Sequence, residues 1–243
     1  AAGCGGSDSP PVQDASSGEA SATAARDDAG PSKGPSPSLK KTPDSQTSPQ
    51  RQSSPPGKPR VEILTDLGRI VLELDPEKAP LTVENFLRYV KQGYYDGTVF
   101  HQVFPDYVIL GGGYTPELKE KPSGVPVRNE ADNGLSNRRG TVALARDPRV
   151  IDSGCCQFFI NVADNPQLDH QGREPEKFGY CVFGRVIQGM DVVDRIAKVP
   201  TKEQQVQRPA PAGQQVNQAS LVTETLPGVP IQPVRIRRMR VLP

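Results

Sequence analysis

The residues of this 243-residue chain that could carry chemistry are few. They are two vicinal cysteines, a run of three glycines, two histidines and a dense aromatic and amide block between Tyr94 and Val186. Cys155-Cys156 could form a strained redox pair, although small buried side chains directly before Gln157 are the simpler assignment. Gly111-Gly112-Gly113 is not part of a Gly-rich loop ending in Lys-Ser/Thr and suits a tight strand exit better than a phosphate cradle. His170 lies in a polar loop and is expected to be solvated. No GxSxG or HExxH pattern occurs. Two histidines exclude a poly-histidine metal site, and four cysteines without a CxxC pair argue against a zinc ribbon or a thioredoxin-type site. No metal and no cofactor is expected.

What remains is one ordered set of segments. Tyr94-Tyr95-Asp96-Gly97-Thr98-Val99-Phe100-His101-Gln102-Val103 is followed by Tyr107-Val108-Ile109-Leu110 and the three glycines. Then come Asn129-Glu130-Ala131, Arg139-Gly140-Thr141-Val142-Ala143-Leu144-Ala145-Arg146, Gln157-Phe158-Phe159-Ile160-Asn161 and Gly179-Tyr180-Cys181-Val182-Phe183-Gly184-Arg185-Val186. In order and spacing they resemble the cyclophilin family, closest to its short bacterial members. Ala79-Pro80 to Asn85-Phe86 and Gly189-Met190-Asp191-Val192-Val193 fit as well. The resemblance covers residues 61–200 and the final strand. It implies a mainly β fold, a closed eight-stranded antiparallel barrel capped by two α-helices. It also implies peptidyl-prolyl cis-trans isomerisation without a cofactor. The partners would be proline-containing peptides or unfolded protein segments, with no nucleic acid, and the protein would act as a monomer.

That reaction turns an X–Pro bond whose rotation barrier is about 20 kcal/mol. It needs no nucleophile, only a grip on the proline ring and a surface that favours the twisted amide. In the family an Arg directly after Phe-His donates to the prolyl nitrogen or carbonyl. Here Gln102 stands at that position and takes the catalytic assignment. Tyr107 replaces the pocket Phe, and Leu110 replaces the Gln before the glycines. Val108, Ala145, Arg146, Gln157, Phe159, Gln167, Leu168 and Tyr180 complete the substrate-binding set implied by the resemblance. Gln167 stands where many eukaryotic members have Trp, and Tyr180 where they have His. An amide lacks the charge and the fork of a guanidinium. A loss of about 1.5–3 kcal/mol in the transition state corresponds to about 10–150-fold in rate. Weakened catalysis is the expectation, and Gln102→Arg should raise it. Arg146 or Arg128 could instead reach the site and compensate. The other reading is a non-catalytic proline-peptide-binding module or chaperone on the same fold.

The elements that position this block follow from pattern. Val61–Thr65 and Arg69–Leu74 are β-type runs around Asp66-Leu67-Gly68, a hairpin with Val61, Ile63, Ile70, Leu72 and Leu74 inward and Glu62 and Glu73 outside. Val83, Phe86, Leu87 and Val90 recur at helical spacing between Pro80 and Gly93. Short strands are predicted at Thr98–Val103, Tyr107–Leu110, Thr141–Arg146, Gln157–Val162 and Tyr180–Val186, with a helix at Met190–Lys198. The 201–230 region is Gln/Pro/Gly-rich and reads as a long loop. Val234–Leu242 alternates like a strand but slips near Arg238, which indicates a bulge.

Residues 1–60 differ from everything after them. They hold 10 Pro, 7 Gly and 12 Ser, no aromatic residue, and only Val12 and Leu39 as large aliphatics. Such a stretch cannot bury enough apolar surface to offset its ordering entropy. The division expected is a disordered Pro/Ser/Gly-rich tether, 1–60, and one folded domain, 61–243. The domain carries 22 basic and 22 acidic residues, which leaves no footprint for nucleic acid. No run of 18 apolar residues suggests a spanning helix. Ala1-Ala2-Gly3-Cys4-Gly5-Gly6-Ser7 resembles a bacterial lipobox, which would put a lipid on Cys4. The expected location is the cell envelope, exported and tethered on the periplasmic or outer surface.

Overall fold

The computed structural model describes residues 57–209 and 221–243. The Cys4 assignment and most of the 1–60 tether lie outside them. The described residues form ten strands and two α-helices. The strands are β1 (Arg60–Thr65), β2 (Gly68–Leu74), β3 (Val99–Val103), β4 (Val108–Gly111), β5 (Thr141–Leu144), β6 (Phe158–Asn161), β7 (Val182–Gln188), β8 (Thr201–Pro209), β9 (Leu221–Pro230) and β10 (Val234–Leu242). The helices are α1 (Pro80–Lys91) and α2 (Met190–Ala197). Eight strands close an antiparallel barrel in the order β1-β10-β3-β4-β6-β5-β7-β2. This is the mainly β architecture that the resemblance implied.

The β1–β2 hairpin turns as its sequence demands. Thr65 Oγ1 donates to the Gly68 carbonyl and accepts from the Leu67 amide, and Gly68 takes a positive φ. Pro80 opens α1, where a missing N–H costs nothing. The cap comes from far away in sequence: the Glu130 carboxylate accepts from the Leu81 and Thr82 amides and from the Thr82 hydroxyl. Gly189, with φ 85°, starts α2 so close to β2 that a Cβ would fall 2.2 Å from the Arg69 carbonyl oxygen. Both helices send apolar residues (Phe86, Val90, Val193, Ile196) into the cluster that fills the barrel with Ile63, Leu72, Phe100, Ile109, Phe158 and Phe183. The bulge in β10 is present. Leu64 pairs with Arg238 and Thr65 with Ile236, leaving Arg237 as the extra residue.

Three expectations change. The 201–230 region is not a loop throughout: β8 and β9 pair over eight residue pairs as a separate two-stranded hairpin. Its apolar residues Val206, Leu226 and Val229 find their partners, Val99 and Tyr114, on the barrel. Glu62 does point away from the core, but it is buried, because Arg69 and Arg240 close over it and both bond its carboxylate. Those two arginines hold the Glu62 carboxyl below its usual range. His170 is not simply solvated. Its Nδ1 lies 2.9 Å from the Phe178 carbonyl oxygen and its ring packs edge-on to Phe178.

Candidate functional site

The site starts from a bulge in β3. Phe100 pairs with Gly111, Gln102 with Leu110 and Val103 with Ile109, so His101 is the extra residue. Phe100 and Val103 both enter the barrel core. Gln102 therefore lies on the outer face. From there one cross-strand row runs Gln102, Leu110, Phe159, Ala143, Val182 over β3, β4, β6, β5 and β7. The last four belong to a second apolar cluster with Val108, Leu168 and Tyr180, flanked by Phe104, Tyr107, Leu135 and Ala145. A β-sheet with apolar side chains on both faces is unusual for a barrel wall exposed on one side. Here the outer cluster is itself buried, and the partly exposed Phe104, Tyr107, Leu135 and Ala145 form its edge.

Hydrogen bonds fix that edge. Asn165 donates to the Tyr107 carbonyl and to Asn161 Oδ1. The Leu168 amide donates to the Asn165 carbonyl, and the Tyr180 amide to the Leu168 carbonyl. Leu168 and Tyr180 are thereby locked beside Phe159, whose ring meets Tyr180 edge-on with centroids 5.6 Å apart. Burial, with Tyr180 nearby, pushes the Tyr107 phenol pKa up. Gln167 is exposed.

Two assigned residues do something other than line the row. Gln157 folds over Gly113, where a Cβ would fall 2.6 Å from its side-chain carbons. Its amide also faces His101. His101 is fully buried against the Tyr114 ring, and that burial pulls its pKa down to about 3 against the opposing pull of the Val99 backbone and Gln157. Arg146 is 5% exposed. Its Nε donates to the Gly179 carbonyl, Nη1 to Asp147 and Nη2 to Pro175, at 2.6–2.8 Å. The guanidinium is thus spent on backbone carbonyls. Arg128 is exposed and lines a cleft beside α1 with Glu84 and Arg88.

Gln102 itself is fully buried, and its Nε2 donates to the Pro227 carbonyl at 3.1 Å. The sequence pattern assigns neither Pro227 nor Ala143, Phe104 and Leu135 to the site. Ala143 had a usable signal, since it lies two residues before Ala145 on one strand. Pro227 had none, standing 125 residues from Gln102.

Residues 60–219 match the family described as cyclophilin type peptidyl-prolyl cis-trans isomerase/CLD. The chain is 55% identical over 143 residues to peptidyl-prolyl cis-trans isomerase cyp18 of Streptomyces antibioticus, covering 58% of this chain and 84% of that protein. It is 43% identical over 160 residues to peptidyl-prolyl cis-trans isomerase B of Escherichia coli K12, covering 66% of this chain and 97% of that protein. Its backbone resembles a cyclophilin-type isomerase of Cryptosporidium parvum determined in the presence of the dipeptide Ala-Pro. That match has a TM-score of 0.59 and 23% identity, and covers 76% of this chain and 99% of that one.

Proposed function

The chain belongs to the cyclophilin-type peptidyl-prolyl cis-trans isomerase family, and from that premise we propose that it isomerises X–Pro bonds of envelope or secreted proteins with weakened catalysis. The observation that carries this is the row Gln102, Leu110, Phe159, Ala143. Its apolar middle offers a proline ring an aromatic floor at Phe159 and an edge of Tyr107, Leu168 and Tyr180. Its polar end is a neutral amide where the family carries a guanidinium. An amide donor stabilises the twisted, resonance-broken bond less than a charged fork does. The Ala-Pro dipeptide used with the Cryptosporidium parvum protein supports a proline peptide as the ligand class.

The envelope assignment rests on the sequence at Cys4 and on the composition of the segment after it. Mass spectrometry of protein made from its full natural precursor tests this. A lipid-modified Cys4 supports it, and an unmodified Cys4 rejects it.

Isomerisation is tested by exchange NMR or a protease-coupled assay on a short X-Pro peptide. The expected result is measurable turnover at about 10–150-fold below a family member with Arg at this position. Peptide binding with no turnover would favour the binding-module reading. Full turnover would show that weakened catalysis is wrong.

A further inference from the structure

Gln102 stands where the family donor stands, and its amide is engaged by a distant part of the same chain. The Pro227 carbonyl accepts from Nε2. The next residue, Gly228, adopts φ 69° and approaches β3 so closely that a Cβ would fall 2.8 Å from the Val103 carbonyl oxygen and 3.0 Å from the Phe104 ring. Only glycine fits such a conformation and such an approach without strain. On the flank, Leu226, Val229 and Val206 are buried against Val99 and Tyr114. Pro227 is exposed, so the backbone of Leu226–Val229, not a proline ring, lies over this end of the row. Phe104 in turn packs against Tyr107, with ring centroids 6.5 Å apart, which joins the hairpin to the pocket edge.

We infer that the β8–β9 hairpin is a cover over one end of the isomerase site, and that Gln102 is the residue that fastens it. The amide serves the hairpin, and a substrate reaches position 102 only after Leu226–Val229 has lifted. The inference rests on the isomerase reading for its kinetic consequence, but the cover can be tested without turnover. A cover that must open lowers apparent affinity by the fraction of molecules that are open. It therefore acts on KM and leaves kcat alone.

The test uses the full chain and one glycine. Gly228→Val places a branched side chain at positive φ against the Val103 carbonyl, which should unseat β9. The expected result is a lower KM with kcat unchanged. Gln102→Arg acts only in the open, substrate-bound state, so it should raise kcat about 5–30-fold alone and by the same factor in the Gly228→Val background. A KM for Gly228→Val that is unchanged or raised would overturn the cover. A second variant joins Thr201 to Pro230 through Asn-Gly in place of 202–229, whose ends already pair; it should behave as Gly228→Val does. Hydrogen exchange of the Gln102 side-chain amide separates the two hypotheses. Slow exchange in the natural chain that becomes fast in either variant supports the cover even if no variant turns over, in which case the isomerase reading fails alone. Exchange that is equally fast in all three would overturn the cover.

Discussion

Arg146 holds Tyr180 across the edge of the apolar row: its guanidinium carbon lies 5.1 Å from the centre of the Tyr180 ring. The same guanidinium bonds the carbonyls of Gly179, Asp147 and Pro175, so it binds together the loop that delivers Tyr180 and the strand end that delivers Ala145. Its charge is spread over four carbonyl dipoles, those three and Val150, and a π face, which is how a buried Arg without a carboxylate on its fork is satisfied.

Removing it should therefore loosen the pocket edge as well as the fold. Arg146→Ala leaves four carbonyls short of a charged donor and should cost about 2–4 kcal/mol. Arg146→Lys supplies charge without the fork and should recover only part of that. Denaturant midpoints read the stability. Steady-state kinetics on an X-Pro peptide should show KM rising more than kcat falls, since Tyr180 shapes the pocket. An Arg146→Ala variant of unchanged stability would show that the carbonyl bonds contribute nothing net.

Phe159 is the floor between Leu110 and Ala143, fully buried and edge-on to Tyr180. Phe159→Leu keeps an apolar side chain but loses the ring pair, worth about 0.5–1.5 kcal/mol beyond burial. The expected outcome is a modest fall in melting temperature with a clear rise in KM. If KM for proline peptides is unchanged, the proline ring does not rest on this row.

Much of this was legible in the chain because periodicity and turn chemistry are local. The alternation of Val61, Ile63, Ile70 and Leu72, the helical spacing of Val83, Phe86 and Val90, and the slip near Arg238 each specify their element from adjacent residues. The β8–β9 hairpin was not legible. Its strands are rich in Gln and Pro, and Val206, Leu226 and Val229 have no apolar partners until Val99 and Tyr114 stand beneath them. The site was legible as a set of residue types through resemblance. Its geometry was not, because the bulge at His101 decides which way Gln102 points, and the bond to Pro227 closes over 125 residues.

The thiols of the domain should be silent. Cys155, Cys156 and Cys181 are buried thiols, not disulfide-bonded, in accord with the simpler assignment of the vicinal pair. Cys155 Sγ lies 3.0 Å from the Tyr89 hydroxyl, and the Tyr94 hydroxyl donates to Cys156 Sγ at 3.4 Å. Burial pushes the Cys181 thiol up to about 12. Only thiolate is nucleophilic, and access is needed as well. In a Cys4→Ser chain at pH 8, Ellman's reagent should find no reactive thiol until denaturant is added, and then three. A fast-reacting thiol in the native protein would sink this reading and reopen the redox role of Cys155-Cys156.

His101 should make the stability of the domain depend on pH. Burial against Tyr114 pulls the folded pKa of this histidine down to about 3, while an unfolded chain titrates near 6.5. Between those values the unfolded state binds a proton that the folded state refuses. Stability is then fully present above about pH 6.5 and is lost as pH falls toward 3, at up to about 1.4 kcal/mol per unit. The direction is that of a carboxylate held low, although the group is a base, because it is the neutral form that the fold keeps. The Glu62 carboxyl, held down by Arg69 and Arg240, adds a similar loss, but only as pH falls below its unfolded value near 4.5. The window between pH 5 and 6.5 therefore isolates the histidine from Glu62. Denaturant unfolding across that window should give a rising stability with pH in the natural chain and a flatter profile in His101→Gln, whatever the variant's absolute stability. Equal slopes in the two proteins would show that His101 takes up its proton in the folded state as readily as in the unfolded one.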